Sequence, residues 1–497
     1  MAFEQIGRGA EGHEPGSQLP GEPKSTEAGS VSRRSFLKGG AAVAASLAAT
    51  PLLTRNQASG MSLSSRATRA HASSQELEFL NFYAPSKAQP PLQVKWFENL
   101  VAEWNRTHTP KIRLSYLPSA TYMNGPNVYS QFASGHGPDV FLLSPGDFAR
   151  YYNGGVLVDL SQYMTPAARA DYFPSVMATR EVNGHIYGLP MEVEPMAFFY
   201  SIDAFEKAHL SEADLPRTWT QLLDVAHKLS TPRRFGLAFE TTPGYYQNFT
   251  WYPFLWETDS FIVDRNQKTS GFRSKGAQEA LALWRESVSR NVAPRKVGGQ
   301  GGFDVIGNLA SGLCAIQNVG IWAVSALRQE APKFRYGVFK LPVPPGGHYG
   351  TVLGGWAFVA NAKSPNAEAA AKFCVWALGT TDPACIQRGY DWIGVAKSDL
   401  APRQSVLALA DKHGTYASGA MKIFREEIFP GGRGEPRLPP PVYQAVSTAI
   451  QSAQLGSGSI SQIADTAAST IEGYLAGYTG CSVSDQAEAP TVLTTKK

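Results

Sequence analysis

Cysteine is scarce in this chain: four among 497 residues, at positions 314, 374, 385 and 481. There is no C-x-x-C, so neither a disulfide framework nor a dithiol redox motif is expected. Cys374 and Cys385 are close enough in sequence to pair in an oxidising compartment, but buried free thiols are the favoured reading. Charge is also sparse, at 17% of residues. Of the net charge of +4, residues 1–72 carry +3 and the remainder +1. A body so close to neutral gives no electrostatic reason to expect nucleic acid or an anionic membrane as partner. No run reaches the ~18 apolar residues of a membrane span. Motifs of chemistry are missing too: G-x-S-x-G, H-E-x-x-H and G-x-x-x-x-G-K-[ST] do not occur. The nine histidines are scattered, with none paired at a metal-ligand spacing, so no metal and no cofactor are expected.

What is present begins with an address. Residues 1–31 are polar, aperiodic and rich in Gly, Pro, Ser and Glu, which reads as disorder. Then Ser32-Arg33-Arg34-Ser35-Phe36-Leu37-Lys38 precedes a mild Ala-rich apolar run over residues 39–49. This resembles a twin-arginine export signal. Ala70-His71-Ala72 fits an A-x-A cleavage site, giving a signal over 32–72 and a mature chain starting near Ser73. No cysteine follows the apolar run, so a lipid anchor is not expected. Export to the periplasm or the extracellular space is.

The remainder alternates strand and helix signals. Residues 76–83 form a β-like run, and Leu92, Trp96, Phe97, Leu100, Val101 and Trp104 recur at helical spacing. Strands are predicted over 112–116, 140–143, 313–317 and 336–341, and helices over 218–229, 275–288 and 367–378. Asn183-Gly184 is a hairpin turn signal. Residues 431–441, rich in Gly and Pro, read as loop, and those after 480 as a loose tail. The rhythm argues for an α/β fold with parallel-dominated sheets.

One carboxylate pair carries a catalytic alternative. Glu192 and Glu194, two apart in an extended strand, would face one side about 6.5–7 Å apart. That is within reach of an inverting glycosidase. The competing reading is two carboxylates that contact ligand or solvent and do no chemistry.

The chain resembles the extracellular solute-binding proteins of ABC importers, the group that includes the maltose- and maltodextrin-binding proteins. Six blocks carry the resemblance in order, among them Gly137-Pro138-Asp139-Val140-Phe141, Asn183-Gly184-His185-Ile186-Tyr187-Gly188-Leu189-Pro190 and Gly320-Ile321-Trp322-Ala323. Leu143 stands where the maltose-binding proteins carry a Trp, which speaks against maltodextrin itself. The resemblance implies a periplasmic-binding-protein-like type II fold, two α/β lobes closing on ligand by a hinge. Lobe 1 would hold 73–190 plus 345–395, lobe 2 would hold 195–342 plus 397–480, and 481–497 would be the tail. Crossings would fall near 191–195, 342–347 and 392–396. The function implied is non-enzymatic capture of a sugar or oligosaccharide for import, with the transmembrane permease subunits as partners and the protein itself a monomer. The alternatives are a secreted glycosidase using Glu192 and Glu194, or a binding protein for a non-sugar solute.

A sugar site needs flat aromatic faces for ring C–H patches and carboxylates or amides for hydroxyls. The resemblance places Trp322 and Tyr443 at stacking positions and Glu194 at a hydrogen-bonding carboxylate. Trp356, following Gly355, is a further candidate, because glycine allows close backbone approach. Trp251 and Tyr252 come from an aromatic segment, and Tyr83 or Phe82 ends the first strand. Few Arg or Lys lie in these segments, which favours a neutral ligand.

Overall fold

The computed structural model describes residues 76–86, 90–123 and 126–485. The N-terminal extension expected to be disordered, the export signal, its cleavage site and the tail beyond 485 lie outside the described residues.

Two mixed sheets organise the chain. In the first, the strand Glu76–Asn81 is central to a parallel trio, pairing with Lys111–Tyr116 on one side and Val140–Leu143 on the other. Ala357–Ala360 adds antiparallel to Val140–Leu143, and Leu189–Pro190 closes the far edge. The amphipathic helix Pro91–Thr107 buries Trp96, Phe97, Leu100, Val101 and Trp104, the residues whose spacing marked them as one face. Phe97 packs edge-on against Phe79 of the central strand, at 5.7 Å between ring centres.

The second sheet is built on the long strand Glu194–Ser201. Cys314–Gly320 and Thr351–Gly354 pair antiparallel to it, and Phe235–Ala238 and Gly432–Gly434 extend the sheet beyond those neighbours. Side chains of the long strand alternate between two cores: Met196, Phe198 and Tyr200 enter one, Ala197 and Phe199 the other. That is the period-two signature of a strand covered on both faces. The capping box at Thr218 and Gln221 starts the helix Trp219–Leu229 on one of those faces.

Several boundaries differ from expectation. The sheets are mixed, because strands that return from the other lobe pair antiparallel. Thr351–Gly354 lies in the second sheet and Ala357–Ala360 in the first, so the second crossing falls at Gly355-Trp356, not at 342–347. Residues 345–354 therefore sit with lobe 2. The third crossing is also later than expected. The helix Gln404–Lys412 packs on Pro383–Tyr390, and Arg403 pairs with Asp171 at 2.7 Å, so both belong to lobe 1. The chain passes to lobe 2 only after Lys412. Part of 431–441 is strand, since Gly432–Gly434 pairs in register with Thr351–Leu353. All four cysteines are free and buried. Among the described residues no helix is long and apolar enough to cross a membrane.

Candidate functional site: an aromatic cavity between two sheets

Between the two sheets lies a cavity of about 330 Å3. Lobe 1 lines it with Phe82 and Tyr83, from just beyond the first strand, and with Trp356. Lobe 2 contributes Tyr245, Tyr246 and Phe249 from the first turns of the helix Tyr245–Trp256, along with Trp322. Glu194 and Gly355 come from the crossing segments, Gly354 from the end of the strand Thr351–Gly354, and Glu435 from just beyond the strand Gly432–Gly434.

Trp322 stands where the strand Cys314–Gly320 gives way to the helix Ala323–Glu330. Its indole Nε1 donates to the Phe303 carbonyl at 3.2 Å, which fixes the ring while leaving it half-buried. Gly320 makes room for it: a Cβ there would come within 1.9 Å of the indole. Gly355 has φ +115°, and a Cβ would meet the Glu192 carbonyl at 2.5 Å, so only glycine suits this tight crossing. Trp356 then packs edge-on against Phe82, at 4.8 Å between ring centres.

Behind the aromatic wall sits a buried ionic cluster. Lys397 Nζ lies 2.8 Å from Glu192, 2.6 Å from Glu194 and 3.5 Å from Asp399. Glu192 is further tied down, accepting from Trp392 Nε1 at 2.5 Å and from the Trp356 N–H at 3.1 Å. Burial opposes the Lys397 charge, but the Glu192 and Glu194 carboxylates outweigh it and hold the ammonium well above its ordinary range. Burial pushes Glu194 up to about 7 against the pull of Lys397. It pushes Glu435 up to about 8 against the pull of Arg180. Arg180 is itself driven down to about 10 by burial, and its Nη groups donate to the Gly355 carbonyl and the Thr179 hydroxyl. The three carboxylates Glu192, Glu194 and Asp399 would suit a cation, but the Lys397 ammonium fills that role.

Of the residues picked out from sequence, Trp322, Glu194, Trp356, Gly355 and Tyr83 line the cavity, as does Phe82. Three do not. Trp251 is fully buried, donates to the Ala280 carbonyl at 3.4 Å and stacks with Phe272. Tyr252 is buried and stacks with Trp256. Tyr443 is buried behind the cavity wall, where Arg150 donates to its hydroxyl. The aromatic segment was the right one, but the helix turns Tyr245, Tyr246 and Phe249 inward. Their i, i+1, i+4 spacing is the signal that marks that face. Lys397 and Glu435 carried no sequence signal. One oxygen of Glu192 and one of Glu194 lie within 4.8 Å of each other across the shared ammonium, because the side chains converge on Lys397 from their backbone spacing. Only Glu194 reaches the cavity. An inverting pair needs about 6.5–9.5 Å and room for a water between the two carboxyls.

Residues 90–382 match the model of the bacterial extracellular solute-binding protein family, and residues 30–50 match the twin-arginine translocation pathway signal sequence. An uncharacterized lipoprotein of Streptomyces antibioticus is 26% identical over 280 residues, covering 53% of this chain and 59% of that one. The galactooligosaccharide-binding protein of Bacillus subtilis is 26% identical over 292 residues, covering 56% and 65%. These alignments thus span less than two thirds of either relative. Among solved structures, an ABC transporter solute-binding protein from Thermotoga lettingae bound with α-D-tagatose superimposes with a TM-score of 0.69 at 19% identity. It covers 81% of this chain and all of that one, and shows the same two-lobed α/β fold.

Proposed function

The chain belongs to the bacterial extracellular solute-binding protein family, and from that premise we propose that it is the sugar-capturing component of an ABC importer, exported by the twin-arginine route. The observation that carries the reading is the composition of the cavity wall. Flat rings from both lobes, Trp356 and Phe82 facing Trp322 and Tyr246, enclose a space to which Glu194 and Glu435 also contribute. Aromatic faces take the apolar sides of a sugar ring and carboxylates take its hydroxyls. The volume is at the small end of the roughly 300–1,000 Å3 usual for ligand pockets, which suits a short sugar. Relatives that bind galactooligosaccharide, and neighbours in fold that bind tagatose and maltotriose, support the class. The partners in this reading are the permease subunits, and the protein acts as a monomer.

Family members and fold neighbours are binding proteins, and the site here has the character of a receptor. Glu192 and Glu194 share the Lys397 ammonium, and of the two only Glu194 lines the cavity, so they do not flank a ligand as an acid and a base would. A thermal-shift screen of the mature protein against mono-, di- and trisaccharides tests the reading, because a ligand bound only by the folded state raises the melting temperature. A shift with one group of sugars, and recovery of that sugar chemically unchanged after incubation, is the expected result. Absence of any shift across the panel sinks the sugar reading. Cleaved product that vanishes in Glu194→Gln would replace it with the glycosidase.

A further inference from the structure

The cavity is walled from both lobes, so the lobes must part for a ligand to enter or leave. Crossing segments join them, and such a linkage permits hinge motion. A side-chain contact that spans the lobes away from the ligand then weighs on how long they stay together.

One such contact grows from residues 145–153 of lobe 1, where the 3-10 turn Pro145–Asp147 runs into the helix Phe148–Asn153. Asp147, Arg150 and Asn153 recur at every third residue, on neighbouring turns. Arg150 Nε donates to Asp147 Oδ1 at 2.7 Å, and its Nη2 donates to the Tyr443 hydroxyl. Tyr443 belongs to the helix Pro440–Leu455, which packs on Lys275–Ser289 within lobe 2. Asn153 Nδ2 donates to the Tyr478 hydroxyl at 2.9 Å, and its Oδ1 accepts from the Cys481 N–H at 3.1 Å. Asp147 and Tyr443 are each 5% exposed, so the charged link is shut away from water. A guanidinium so shielded is costly without partners, and here one partner comes from each lobe. Asp147, Arg150 and Tyr443 are not among the described residues that line the cavity. Tyr245 does line it, and its ring stands edge-on to that of Tyr443, 6.4 Å away between centres. A ligand seated against Tyr245 therefore has the link on the far side of the same ring.

We propose that Asp147, Arg150 and Tyr443 form a closure latch, a lobe-to-lobe contact that retains the ligand without touching it. Arg150 and Tyr443 are positioning residues, and Asp147 aims the guanidinium. This rests on the sugar-binding reading above for its ligand, and it gives Tyr443 a task other than the stacking expected from sequence. Such a latch slows release and leaves the first encounter alone. Its loss weakens every ligand by one common factor, since no ligand contact is removed.

Tyr443→Phe deletes the hydroxyl and keeps the ring, while Arg150→Met deletes the guanidinium. Both variants, checked for folding by circular dichroism, are compared with the wild type by stopped-flow kinetics on the mature protein. The probes are glucose, galactose, maltose and maltotriose at about pH 7.5, where Asp147, pushed up to about 6 by burial, is ionised. Each variant should release every sugar that binds about tenfold faster, as for loss of a hydrogen bond to a charged group, with association unchanged. The double variant should release no faster than Arg150→Met alone, because the two changes remove one shared contact. Release at the wild-type rate, a loss confined to some sugars, or slowed association overturns the latch and leaves the sugar-binding reading standing. If none of the four sugars binds, that reading falls and small-angle X-ray scattering of the sugar-free proteins decides the latch by itself. A larger radius of gyration in both variants than in the wild type then supports it, and an equal one overturns it.

Discussion

Replacing Trp322 by alanine deletes a half-buried ring held in place by one hydrogen bond and by the bare backbone of Gly320. Because it lines the cavity and is not sealed in the core, the loss should fall on affinity. About 2 kcal/mol, roughly thirtyfold, is expected in calorimetry, as for anchoring aromatics elsewhere. A large fall in stability at near-normal affinity would take Trp322 out of the site. The buried carboxyls make a second, pH-dependent prediction. Glu194 and Glu435 are pushed up to about 7 and about 8, and Asp147 to about 6, from ordinary values of 4.5 and 3.8. Burial is the leading cause in each case. Between those ordinary values and about pH 8 the folded chain holds more protons than the unfolded one, so stability falls as pH rises through that window. Denaturant unfolding at pH 5 and pH 8 should show the decline, and Glu435→Gln should flatten it. A flat or rising profile in the wild type would contradict the burial seen at these carboxyls.

The helix Tyr245–Trp256 shows what a phase error of a few residues does to a site prediction. Its aromatic run was legible in sequence, but which face met the cavity was not. The helix is buried nearly all round, so hydrophobic periodicity had no contrast to report. Trp251 faces the core, and Trp251→Ala should therefore cost about 3–5 kcal/mol of stability. Binding per folded molecule should be unchanged, and calorimetry with denaturant unfolding separates the two effects. The regular elements were readable because their patterns are clean: the Trp96-to-Trp104 face, the strand Val140–Leu143 and the Asn183-Gly184 turn all appear where expected. The crossings were not. Thr351–Gly354 and Ala357–Ala360 are both fully buried strands two residues apart, and nothing in their hydropathy says that they enter different sheets. Glu435 was missed for a related reason. A glutamate in a Gly/Pro-rich stretch looks solvated until the chain around it is folded.

At the scale of the whole molecule, the leader and the receptor make one joint prediction. Export through the twin-arginine route depends on Arg33 and Arg34, which fall within the matched signal. Changing both to lysine should leave the precursor in the cytoplasm, read by immunoblot of cell fractions. Unimpeded export of that variant would contradict the assignment. The order of the strands also bears on how such a precursor is made. In the first sheet, Ala357–Ala360 lies between Val140–Leu143 and Leu189–Pro190, so nearly all of the second sheet's strands are synthesised before the first sheet can be joined across. The ribosome must pass Ala360 before the N-terminal half has its full complement of partners. Pairings this distant in sequence also form slowly. A chain wired in this way completes its N-terminal half late, long after the leader itself has been made.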